Sequence, residues 1–385
     1  MISNWLGSTS LSLVVACAVA ALVAFGASPL CRRFASLIGA VDIPSDGRRI
    51  HKKPMPRLGG LAIFAGFIVT MLLFADIDAP LRGVLIGAVI IVVLGCVDDV
   101  VRLHYSIKLL FQFTAALVVV LHGLTIEVFS NPIPIGPAQV HLGLLSAPIT
   151  ILWIVALTNA VNFIDGLDGL ACGVSLIGSL SLLIIAMVMP VQRPEIALIM
   201  AALSGGCLGF LPYNLNPAKM FMGDTGATFL GFILAAASIQ GLFKVYTIIS
   251  FAVPFLILAL PIVDTAVSIF RRLLKGGNPA HADRGHLHHR LIDMGFSQKQ
   301  AVALLYAISA GMGITAVVLT TWGEVRAVIV LLFMAMAVAI GYLILLNRIS
   351  RPRANGQPPP DDEPAPPPPQ DAAIPATATE DDSHA

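Results

Sequence analysis

Apolar runs long enough to cross a lipid bilayer recur along this chain, and they constrain its fold more than any other feature. They cover residues 11–30, 58–74, 81–97, 109–124, 148–161, 171–189, 196–212, 225–242, 246–270, 300–320 and 327–346. A bilayer core is crossed by about 20 helical residues. Backbone polar groups in lipid must be satisfied within the protein, and isolated sheets leave them unpaired. Only 12% of the 385 residues are charged, against about 25% in soluble domains. The expected fold class is therefore an all-α integral membrane protein, a polytopic bundle of about eleven transmembrane helices.

The charges between the runs are strongly sided. Segments after odd-numbered runs hold 19 of the 23 Lys and Arg residues; the others hold Arg82, Arg193, Lys244 and Arg326. The positive-inside rule makes the basic side cytoplasmic. The N-terminus is then outside and the C-terminus cytoplasmic. The ten residues before the first run carry no Lys or Arg, so that run reads as a retained helix and not a signal peptide. Residues 1–350 form the expected membrane domain. The Pro-rich, acidic tail at 351–385 has almost nothing to bury and is expected to be disordered. The five cysteines form no CxxC pair, so neither a disulfide framework nor a thiolate metal site is indicated.

The basic side also collects the acids. Asp98 and Asp99 end the third run. NAVNFIDGLDGLA brings Asn159, Asn162, Asp165 and Asp168 after the fifth, and Asp224 opens the eighth. An acid at bilayer depth costs about 2.5–3.5 kcal/mol on insertion scales. Five acids at helix ends on one side suggest one shared polar site. Each also has an ordinary reading: a solvated helix boundary for Asp98-Asp99, an N-cap for Asp224, and a turn for DGLDG. The loop GGNPAHADRGHLHHRL packs His281, His286, His288 and His289 beside Arg284 and Arg290. Its spacing matches no tetrahedral zinc pattern, and histidines interleaved with arginines suit an anion such as phosphate. Carboxylates with an amide oxygen favour Mg²⁺, or Mn²⁺, bound partly through substrate phosphates.

These motifs resemble the polyprenyl-phosphate N-acetylhexosamine-1-phosphate transferases. The similarity runs through DIPSDGRRIHKKPMPRLGG, VDDVVRLHYSIKLLFQ, NAVNFIDGLDGLA, GFLPYNLNPAKMFMGDTG and HADRGHLHHRL, in family order. It is nearer the branch using UDP-GlcNAc than the branch transferring phospho-MurNAc-pentapeptide. The resemblance implies transfer of HexNAc-1-phosphate from a UDP-sugar to undecaprenyl phosphate, releasing UMP and starting lipid-linked envelope glycan synthesis. It implies that Asp98 and Asp99 handle the acceptor phosphate, that Lys108 holds phosphate, and that Asn162 and Asp224 bind Mg²⁺. Asp165 and Asp168 match the acids of the nucleotide-sugar motif. His281, Arg284, His286, His288, His289 and Arg290 match the loop covering the sugar nucleotide. Arg48, His51, Lys52 and Lys53 face anionic ligand or headgroups, or serve topology alone. Asp264 lines the nucleotide pocket or, the preferred reading, pairs with Arg271. Expected partners are UDP-HexNAc, polyprenyl phosphate and membrane lipids, with no nucleic acid; a homodimer is a family expectation. A proton- or cation-coupled transporter is the rival class, and it predicts acids near the bilayer midplane.

Overall fold

The structure is a computed structural model. It describes residues 9–43, 54–130, 139–188, 194–241, 248–274, 286–323 and 325–336. Residues up to Ala335 form one compact unit. The tail at 351–385 and the basic residues Arg48, His51, Lys52, Lys53, His281 and Arg284 lie outside the described residues.

Helices dominate. The first eight are α1 Thr9–Ile38, α2 Gly59–Phe74, α3 Ala79–Val101, α4 Tyr105–Leu121, α5 Ser146–Ile164, α6 Leu170–Val188, α7 Pro194–Asn214 and α8 Gly223–Gly241. Then come α9 Ile248–Ile257, α10 Ala259–Leu274, α11 Leu287–Asp293, α12 Gln298–Trp322 and α13 Val325–Met336. Each expected apolar run carries a helix. Among the described residues, six helices are long and apolar enough to cross a membrane: α1, α3, α5 with its preceding 3-10 turn, α6, α7 and α12. The outer faces of the helices are greasy, with Leu22, Leu72, Leu110 and Leu152 each more than 60% exposed. A water-soluble surface would not carry so much apolar area.

Three features depart from the expectation. Among the described residues, two short antiparallel strand pairs accompany the helices, β1 Val41–Asp42 with β2 Met55–Pro56, and β3 Val128–Ser130 with β4 Gln139–His141. The ninth run is two helices that break at Leu258, because Pro261 has no N–H to give the Ile257 carbonyl. The histidine loop contains a helix of its own, α11.

Helix α8 is the axis of the bundle. It packs on α2, α3, α5 and α6 and is buried on every side from Thr225 to Gln240. A helix apolar all round belongs in a core. Gly60 of α2 and Gly226 of α8 approach so closely that a Cβ on either would strike the other's backbone. Small residues permit such contact where lipid supplies no hydrophobic drive between helices. Burying α8 in this way sets the position of its first acid, Asp224.

Candidate active site

Four chain segments converge on the start of α8. Gly223 turns into the helix in a left-handed conformation, φ +72°. A Cβ there would collide with the Arg57 carbonyl and the Asp99 carboxylate, so only glycine fits. Asp99 comes from the last turn of α3. Its Oδ1 accepts from the Asp224 N–H (3.0 Å), and its Oδ2 from the Thr225 N–H (3.1 Å) and Oγ1 (2.7 Å). It thus satisfies backbone donors that a helix start leaves open. The N-cap role considered for Asp224 belongs instead to Asp99, a residue of another helix. With its side chain 0% exposed, Asp99 is committed to architecture.

Its neighbour Asp98 is divided between two tasks. Oδ1 accepts from the Leu103 N–H (2.7 Å), closing the end of α3, where Arg102 takes a left-handed cap. Oδ2 meets Lys108 Nζ at 2.6 Å. Lys108, in the first turn of α4, also lies 2.7 Å from Asp224 Oδ2. Asn162 Nδ2 donates to that same Asp224 oxygen at 3.4 Å. Asp98, Asp99, Lys108, Asn162 and Asp224 are therefore one cluster.

Arg57, just before α2, closes the cluster and was not singled out by sequence. Its Nε lies 3.7 Å from Asp99 Oδ1 and its Nη2 3.8 Å from Asp224 Oδ1. Burial disfavours its charge, but Asp99 and Asp224 outweigh this and raise its pKa. The available signal was its place beside Gly59 and Gly60, hidden among loop charges that topology already explains.

Half-buried Asp165 sits at the α5 C-cap. Burial, then the negative charge of Asp224, push its pKa up to about 7, with Arg57 opposing. Asp168 turns elsewhere: its Oδ2 accepts from Asn216 Nδ2 (2.9 Å) and the Ala218 N–H (3.0 Å). Asn216 also donates to Gln298 Oε1 at 2.7 Å, so Asp168 anchors the α7–α8 loop beside the start of α12. Asn159 has the structural role expected of it, pairing its amide with Gln112 and donating to the Val155 carbonyl.

Of the histidine loop, His286 and His288 lie against the same end of α5. His286 packs on Phe163, with ring centroids 5.9 Å apart, and His288 lies against Gly166. Asp264 meets His286 Nδ1 at 2.9 Å and accepts from the Leu287 N–H at 2.7 Å. Asp264 thus pairs with His286, where Arg271 was the preferred partner, because the start of α11 lies against α10. His288 is 2% exposed, and neither ring nitrogen has a hydrogen-bond partner. Burial, then His289, lower its pKa to about 4, so it is neutral at pH 7. The His289 ring lies tilted against His288, with centroids 4.3 Å apart, and Arg290 is exposed.

The cluster's donors are carboxylate and amide oxygens, which suit a hard cation. Among the described residues, no three His, Cys, Asp or Glu side chains are grouped to hold an ion. Asp99 is already spent on α8.

Similarity to known proteins extends along most of the chain. The model for glycosyl transferase family 4 matches residues 81–242. A Bacillus subtilis (strain 168) protein named "Probable undecaprenyl-phosphate N-acetylglucosaminyl 1-phosphate transferase" is 39% identical over 331 residues, 85% of this chain and 91% of that protein. A Mycolicibacterium smegmatis "Decaprenyl-phosphate N-acetylglucosaminephosphotransferase" is 35% identical over 314 residues, 74% and 77% of the two chains. A Rippkaea orientalis "Phospho-N-acetylmuramoyl-pentapeptide-transferase" is 32% identical over 341 residues, 81% and 89%. Similarity sustained over most of the length of these proteins leaves one conclusion: the chain belongs to glycosyl transferase family 4.

Proposed function

We propose that this chain transfers GlcNAc-1-phosphate from UDP-GlcNAc to undecaprenyl phosphate, releasing UMP and starting a lipid-linked envelope glycan. The observation that carries this reading is the junction of Asp98, Lys108, Asn162 and Asp224 at the ends of membrane helices. A lipid-borne phosphate and a water-soluble nucleotide can meet there. The name of the Bacillus relative, matched over 85% of this chain, supports the choice of sugar and lipid. The charge count supports eleven spans with the cluster on the cytoplasmic side, and the family supports a bacterial inner membrane.

In this reading an oxygen of the lipid phosphate attacks the β-phosphorus of the UDP-sugar, and the bond to UMP breaks. A phosphate monoester is largely dianionic at pH 7, since its second pKa is about 6. A general base therefore has little proton to remove, and Asp98 acts by keeping Lys108 aimed at phosphate. Lys108 stabilises charge in transfer, with Arg290 as the exposed cation of α11. Asp224 and Asn162 would hold Mg²⁺, which when bound supplies charge stabilisation for the diphosphate and for leaving UMP. Asp165, near neutral pH by its surroundings, orders the donor end.

The test is a membrane assay with radiolabelled UDP-GlcNAc, undecaprenyl phosphate and Mg²⁺. Label should move to the lipid phase with release of UMP. Label remaining aqueous with every UDP-HexNAc tested would overturn the function. The Rippkaea relative favours a second donor, UDP-MurNAc-pentapeptide, and preferential use of it would replace the sugar assigned here. UMP release at turnover rate without lipid would replace direct attack with an aspartyl-phosphate route.

A further inference from the structure

We propose that Arg57 is a positioning residue that acts as an internal counter-ion, competing with a divalent cation for Asp224. This rests on the proposed metal-assisted transfer. Each Asp224 oxygen faces a protein cation: Oδ2 meets Lys108 at 2.7 Å, and Oδ1 meets Arg57 at 3.8 Å. Lys108 shares its charge with Asp98, 2.6 Å away. Arg57 shares its charge with Asp99, but Asp99 is occupied with the first turn of α8 and has no exposed side-chain surface. Arg57 therefore links the acid that caps α8 to the acid that α8 presents. Its own main chain is fixed, with its N–H donating to the Ala40 carbonyl at 3.0 Å. The Arg57 side chain is one-quarter exposed, against 16% for the Asp224 side chain.

Two opposite effects follow from removing that charge. A divalent ion at Asp224 sits within a few ångströms of the guanidinium, and like charges at such range repel. Losing Arg57 should tighten cation binding. It should also release Asp224 from Asp99, so the acid is less well aimed and turnover falls. A residue serving only the fold would not produce tighter binding together with slower chemistry.

The experiment uses the full chain in nanodiscs, with Mn²⁺ as the probe and free Mn²⁺ read by electron paramagnetic resonance. Arg57→Gln should lower the Mn²⁺ Kd about tenfold by removing a nearby positive charge. It should reduce kcat more than it changes KM for UDP-GlcNAc. Arg57→Lys keeps the charge and should return Mn²⁺ affinity to the wild-type value. Arg57→Met serves if the glutamine variant does not purify. Unchanged or weaker Mn²⁺ binding in the neutral variants overturns the counter-ion role and leaves the metal-assisted reading standing. A wild-type chain that binds no Mn²⁺ overturns both.

Discussion

The end of α5 divides two regions built from similar residues but used differently. On one side Asn162 reaches the carboxylates; on the other Phe163 packs against His286. Among the carboxylates, charges are shared. Lys108 serves two acids, Arg57 serves two, and both cations are about one-quarter exposed. Among the histidines, charge is removed or retired: Asp264 takes His286, and burial keeps His288 neutral. Shared, partly open charges can exchange partners with a phosphate or a metal. Paired or neutral buried groups shape a wall. Polarity alone does not reveal a reactive site; the state of its partners does.

The comparison breaks first at Asp224. Asp224→Asn should cut transfer of label to lipid by about 10²–10³-fold, the scale of losing a main electrostatic group. Wild-type activity in this variant would remove the carboxylate side as the reacting centre. Asp99→Ala should act on stability, costing about 1–3 kcal/mol for the backbone donors it leaves unpaired. A thermal melt in detergent reads this as a lower Tm; an unchanged Tm would dismiss its capping role.

A smaller effect concerns pH. Burial and Asp224 raise the folded Asp165 carboxyl from the ordinary value of 3.8 to about 7. The folded chain then holds more protons there than the unfolded chain between these values, so stability falls as pH rises from about 4 to about 7. With EDTA present, Asp165→Asn should flatten this part of the Tm–pH curve; an identical curve would refute the shift. His288 works the other way. Its folded pKa is depressed from 6.5 to about 4, so stability is lost as pH falls through that window. His288→Phe should remove this acid-side loss, read by the same melts. Retention of the full loss would place the responsible group elsewhere.

The parts of the fold set by local pattern were legible. The run at 58–74 became α2 at Gly59–Phe74, and that at 225–242 became α8 at Gly223–Gly241. Counting charges by side also predicted which helix ends meet, because alternate crossing leaves little freedom. Long-range partners were less visible. Nothing local says that Asp99 will cap a helix 125 residues onward, or that Asp168 will brace Asn216. Arg57 was concealed because membrane topology alone accounts for basic residues in its loop. The break at Leu258 had a local sign in Pro261, which the apolar count passed over.

The start of α2 and the lead into α8 are sewn together through their backbones. Phe221 N–H donates to the Pro56 carbonyl, Gly59 N–H to Phe221, and Gly60 N–H to Met222, at 2.8–3.0 Å. An opening that frees one of these amides disturbs the others, so they should exchange hydrogen with solvent as a group. Their common exchange rate would report whether Arg57, Asp99 and Asp224 remain assembled, before any substrate is added.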